Sequence, residues 1–239
     1  MEFSMTRFGQ LIKREFLIHA RIFSLLSILI FLVGVLIMFM STEEYCNSAN
    51  DINIIDILVI AMIFVSGTIL SASIFTEFRD PASRSLYLSL PASHFEKWLS
   101  KWIICVPIHL FVSTGIFVIT YMLMGNILNK LWPECRFIQL SLIHIPIFSF
   151  LIKQYFIFQS LCFLLGIIYN KYALIKTLAT SAIIIFLFST IITLFIKVLF
   201  GENPNQELNI NNVIFQNIAY ILTPMLWIAS YYKLKEKEL

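Results

Sequence analysis

From Ile22 onward, apolar and polar residues along this chain fall mostly into long blocks, not at the period of a strand or of a half-buried surface helix. Five uncharged apolar runs are each long enough to cross a bilayer: Ile22–Thr42, Ile57–Thr76, Trp102–Asn129, Thr177–Ile196 and Leu208–Tyr232. A crossing helix needs about 20 mostly apolar residues to span about 30 Å of hydrocarbon. A sixth run, Phe137–Asn170, is apolar except for Lys153. As one helix it would reach about 50 Å, too long for a simple crossing. Pro146 is therefore expected to break it, leaving Arg136–Ile145 along the outer interface and Ile147–Tyr169 across the membrane.

The predicted fold is all-α and polytopic, a single transmembrane domain over 1–239 with spans at about 22–42, 57–76, 102–124, 147–169, 177–199 and 213–232. Before the first span, Phe8, Leu11, Ile12 and Phe16 recur at helical spacing, opposite Arg7, Gln10, Lys13 and Arg14. That pattern predicts an amphipathic interfacial helix over 5–20, lying in the inner headgroup layer. The first apolar run is too long for a cleavable signal and no small-residue cleavage site follows it, so it is expected to stay as an anchor.

Composition agrees: 59% of residues are hydrophobic, 13% charged, and mean hydropathy is +0.86. Soluble chains average about 25% charged. Direction follows from where Lys and Arg lie. With the N-terminus inside, Arg7, Lys13, Arg14, Arg21, Arg79, Arg84, Lys97, Lys101, Lys171, Lys176, Lys233, Lys235 and Lys237 all face the cytoplasm, 13 of the 17 basic residues. The outer loops instead carry Glu43, Glu44, Asp51, Asp56, Glu134, Glu202 and Glu207. Both termini are predicted to be cytoplasmic. Lys153 sits where it could snorkel to the outer headgroups or face an internal aqueous path.

Residues 77–101 form the one long polar segment between spans on the inner side. Asp80-Pro81 sets a capping carboxylate before a proline at the first helical position, predicting a short helix over Pro81–Leu88 that stops before Pro91. Ser93-His94-Phe95-Glu96 is a capping box, predicted to launch a helix through Trp98 and Trp102 into the third span. The short helix is expected to expose Arg84 and Ser85 and to offer Leu86, Tyr87 and Leu88 for contact. The plainer alternative is a solvated linker whose caps only start the next span.

This segment, ending in YLSLPASHFEKWLSKW, resembles the permease subunits of type-2 ABC exporters, especially a branch common in Bacteroidota. A second stretch, Gln159-Ser160-Leu161 through Gly166 and on to Leu174-Ile175-Lys176-Thr177, is similar to the same branch. The resemblance implies a bacterial inner-membrane assembly of two permeases, identical or related, with two ATPase subunits that bind ATP and Mg. It implies that the short helix is a coupling helix seated on the ATPase, with Glu77, Arg79, Asp80, Arg84 and Tyr87 at or beside that contact. Relatives often carry re-entrant helices before the last span. Here Gly201–Glu207 is short, so an outer gate would fall to Asn209, Asn211, Asn212, Gln216 and Asn217, which a wet helix end explains equally.

Other chemistries find little footing. No phosphate loop of the form GxxxxGK[ST] occurs, so nucleotide hydrolysis is expected in a partner and no cofactor in this chain. His19, His94, His109 and His144 are scattered, the cysteines form no CxxC, and no metal is assigned. No basic stripe with interleaved aromatics points to nucleic acid. Cys105 and Cys162 lie in apolar runs as small hydrophobes. Cys46 and Cys135 share the outer side, where a disulfide between them stays open. The rival class is a non-transporting accessory, immunity or sensor membrane protein. An intramembrane enzyme would need paired catalytic groups, and the apolar runs contain no Asp or Glu. The substrate is not legible.

Overall fold

The computed structural model describes residues 3–40, 54–78, 81–131, 145–169, 171–200 and 204–238. Among these residues every regular element is a helix: α1 (Met5–Met40), α2 (Ile54–Ile74), a short 3-10 turn (Thr76–Phe78), α3 (Pro81–Leu88), α4 (His94–Ile103), a π-turn (Ile104–Ile108), α5 (His109–Leu131), α6 (Ile145–Ile168), α7 (Ala173–Phe200) and α8 (Pro204–Glu238). Through the π-turn, α4 and α5 run on as one rod, His94–Leu131.

Among the described residues, four segments are long and apolar enough to cross a membrane: Met5–Met40, Ala61–Phe78, His94–Leu131 and Ala173–Ile191, with Ile152–Ile168 a shorter apolar helix. Burial shows which solvent these helices need. In α7, only 11% of the most apolar window is covered by protein, and Ile183, Ile184, Ile185, Phe186, Leu187 and Ile191 all face outward. So continuous an apolar surface is stable only against lipid.

α6 is the central helix, packed against α2, α7 and α8, while α1 runs along α2, α4 and α5. Its stretch Gln159–Phe163 is buried on every side. α2 and α6 approach closely because each offers a glycine to the other. A Cβ on Gly166 would stand 2.6 Å from the Ser71 carbonyl oxygen, and one on Gly67 would stand 2.6 Å from Gln159 Oε1. Small residues at a crossing let backbones meet where lipid supplies little hydrophobic drive.

The separate interfacial helix expected over 5–20 is not confirmed: these residues are the first turns of α1, whose 36 residues extend about 54 Å without a break. No proline interrupts the run, and the buried positions Leu11, Glu15, His19, Leu26, Ile30, Gly34 and Met38 hold one face throughout. That face turns toward protein. Leu11, expected on the lipid-facing stripe with Phe16, is instead buried against protein, while Phe16 is exposed beside Leu17 and Ile18. The inner helix starts do fall where the sequence places them, at Pro81 and after Ser93.

Candidate functional site

The 77–101 segment is built into the bundle by charge. α4 reads HFEKWLSKWI, and its four buried residues are all polar: Glu96, Lys97, Ser100 and Lys101. Its aromatic side, Phe95, Trp98 and Trp102, packs toward Tyr231 and Trp227 of α8, with Trp102 and Trp227 ring centroids 5.0 Å apart. A helix turns its polar side inward only when partners wait there.

Lys101 has no exposed surface, yet its ammonium finds three acceptors: Glu15 Oε2 at 2.7 Å, Glu77 Oε2 at 3.1 Å and the Ile74 carbonyl at 3.1 Å. That uses all three of its protons. The Ile74 carbonyl belongs to the last turn of α2, so the lysine also caps that helix end, where a cation is favoured. Arg14 closes the cluster from α1, donating to Glu15 Oε1 at 3.0 Å and Glu77 Oε1 at 2.7 Å. Two cations and two carboxylates thus join α1, α2, the 3-10 turn and α4. Tyr87 of α3 covers them, its ring 4.7 Å from Lys101 Nζ and 5.4 Å from Lys97 Nζ. Burial, and then the carboxylates of Glu15 and Glu77, push the Tyr87 phenol well above its usual range, so it stays neutral. Its hydroxyl is buried without a hydrogen-bond partner.

A second fixture lies one helical level nearer the N-terminus. Ser93 and Glu96 form the capping box, with Glu96 N donating to Ser93 Oγ at 3.2 Å and Ser93 N to Glu96 Oε2 at 2.7 Å. The other carboxylate oxygen accepts from Ser4 N at 2.7 Å, immediately before α1, and faces Arg7 at 3.5 Å. One glutamate therefore caps two helices.

On the far side, α8 holds the segment. Trp98 Nε1 donates to Ser230 Oγ at 2.8 Å, and Arg84 donates to the Lys237 carbonyl. The Lys237 ammonium donates to the Ile167 carbonyl, and burial together with Arg84 and Lys233 lowers its pKa. Ser83 Oγ donates to the Glu77 carbonyl at 2.9 Å, tying α3 back to the 3-10 turn.

Of the residues expected at a coupling contact, Glu77 and Tyr87 face inward into the ion cluster. Tyr87 is thereby removed from the outer face, because the cations beneath it offer its ring more than solvent does. Arg84 is bound to α8. Arg79 and Asp80 lie outside the described residues, as do Cys46 and Cys135. The exposed face of α3 is Ala82, Ser85 and Leu86, the last 68% exposed. Lys153 stands over the Tyr220 ring of α8 at 5.4 Å. Asn209, Asn211, Asn212, Gln216 and Asn217 fall within α8, their side chains outside the described residues.

Arg14, Glu15 and Lys101 are site residues that the sequence does not single out. Lys97 and Lys101, expected among the cations facing the cytoplasm, are both buried. Two signals were present. Glu15 is the only acidic residue between Met5 and Arg21, and Lys97 and Lys101 repeat at one helical turn on the face of α4 beside its tryptophans.

No protein-family model matches the chain, and comparisons with curated proteins and with solved structures gave no match. Fold and burial define the class: a membrane protein whose described residues form only helices, four of them long and apolar enough to cross a bilayer.

Proposed function

We propose that this chain is the permease subunit of a type-2 ATP-binding cassette exporter, working as a pair with a second copy or a related permease and driven by two separate ATPase subunits. α1, α2, the α4–α5 rod, α6, α7 and α8 make six crossings, with both termini on the cytoplasmic side of a bacterial inner membrane. By length alone α6 (about 36 Å) and α8 (about 52 Å) suffice to cross. The distribution of Lys and Arg supports the orientation.

The observation that carries this reading is the way α3 is held. Tyr87, Ser83 and Arg84 fasten one side of it to α4, to the 3-10 turn and to α8, while Ser85 and Leu86 stand free. A short helix fixed to three other elements and bare on one face transmits a push from a soluble partner; a solvated linker would absorb it. ATP closes the partner subunits, they displace α3, and the buried ion cluster passes that displacement to α1, α2 and α4 together. The quoted sequence motifs, the first of which runs from Tyr87 at the end of α3 into α4, support the same assignment.

The test is co-purification of the chain with its ATPase from native membranes. Leu86→Glu places a charge on the bare face without touching the cluster, and should reduce recovered ATPase about tenfold or more, as for a central contact residue. An unchanged complex with unchanged ATP hydrolysis would remove the coupling assignment. A chain that purifies alone would favour the accessory or sensor class.

A further inference from the structure

About a third of the way along the His94–Leu131 rod, the helical hydrogen-bond ladder slips. The His109 amide donates to the Ile104 and Val106 carbonyls and passes over the Cys105 carbonyl, which an α-helix would give it. Pro107 lies inside this π-turn and has no amide proton to offer the preceding turn. The released Cys105 carbonyl is taken by another helix: Gln159 Nε2 of α6 donates to it at 3.0 Å, and also to Ser71 Oγ at 2.7 Å and the Gly67 carbonyl at 3.3 Å on α2.

The residue that ends the π-turn carries a second bridge. Ser66 Oγ donates its proton to the Ile63 carbonyl at 3.0 Å, so it accepts from His109 Nε2 at 3.1 Å. The other nitrogen, Nδ1, then accepts from the Tyr155 hydroxyl at 2.7 Å, with the two rings stacked 13° from parallel. Register and bridge are linked: His109 reaches both partners only because the extra residue in the turn rotates it there.

We infer that this π-turn is a two-position element, held by Gln159, which on release moves one turn into α5 and swings His109 out of its bridge between Ser66 and Tyr155. Migration of a π-turn re-registers only the residues it passes, by about 100° each. The flanks stay in place. α4 keeps its Lys101 anchorage, and α5 keeps its packing on α1, where Thr120 meets Gly34. In the released position His109 donates its amide proton to the Cys105 carbonyl in ordinary α fashion, and the Ser66 and Tyr155 hydroxyls are left facing the bundle interior. Pro107 biases the turn toward its present position, because an α register across it would press the ring on the Ile103 carbonyl. Such bistable elements, not gradual bending, are how packed bundles change state.

The experiment is 15N NMR of histidine-labelled protein in lipid bilayers, with His109 assigned by loss of its signals in His109→Asn. Wild type gives one dominant His109 species, protonated on Nε2 and hydrogen-bonded at both nitrogens. Gln159→Leu removes the latch and Pro107→Ala removes the bias, so each should raise a second His109 species, free at both nitrogens, to roughly a tenth of the signal or more. Ser71→Ala, a gentler change, should raise it less, and warming wild type should raise it reversibly. A single unaltered His109 species in the variants that remain folded, and in wild type across temperature, would overturn the proposal.

Discussion

Replacing Lys101 by methionine tests the ion cluster directly. The change keeps a flexible apolar stem and removes the ammonium with its three bonds. Glu15 and Glu77 would then share one guanidinium, that of Arg14, leaving a net negative charge where the residues at the centre are fully buried. The last carbonyl turn of α2 would lose its cap. Stranding one member of a buried ion pair costs about 3–5 kcal/mol. For a chain of this length, each kcal/mol moves the melting temperature by about 2–4 °C, so Lys101→Met should melt on the order of 10 °C lower. The assay is a fluorescence-detected melt in mild detergent, with Lys13→Met, an exposed cation on α1, as a control that should not move. Adding Glu15→Gln to Lys101→Met removes the stranded charge and should recover part of the loss, a coupling of about 1–3 kcal/mol. If the double variant instead loses the full sum of its two single losses, Lys101 and Glu15 do not act together and the reasoning fails.

Two further outcomes follow from close contacts. Tyr87→Phe removes a buried hydroxyl that has no partner, and should be neutral or stabilising by about 1 kcal/mol near neutral pH. Because folding raises the Tyr87 pKa, its native state holds a proton that the unfolded chain gives up near the ordinary tyrosine pKa of about 10. Stability is therefore full below that pH and falls as pH rises above it, and Tyr87→Phe should flatten the fall; an unchanged alkaline melting profile would contradict the buried placement. Gly166→Ala sets a methyl against the Ser71 carbonyl and should cost about 1–3 kcal/mol by parting α2 from α6, whereas Gly115→Ala, which meets nothing within 4 Å, should not. Equal melts for the two alanine variants would argue against the close crossing.

What the residues decided alone is the local part. Apolar runs longer than a bilayer is thick can only be helices with lipid around them, and proline and a Ser–Glu capping box set helix starts through bonds within four residues. Hence Pro81 and Ser93 were legible. The side on which a helix finds its partners is not a local property. Lys13 and Lys101 are the same residue type in equally amphipathic surroundings, yet one stands in solvent and the other is sealed between two glutamates from distant segments. Likewise, residues 5–20 carry a periodicity that a membrane surface or a protein groove satisfies equally, and only the tertiary structure shows α1 packed against α4. The π-turn depends on Pro107, visible in the sequence, and on an acceptor-hungry amide 52 residues onward, which only packing brings to it. Propensity and capping act within a turn or two; pairing buried charges and spare carbonyls requires the whole bundle, because a group taken out of water is stable only where the fold supplies its partner.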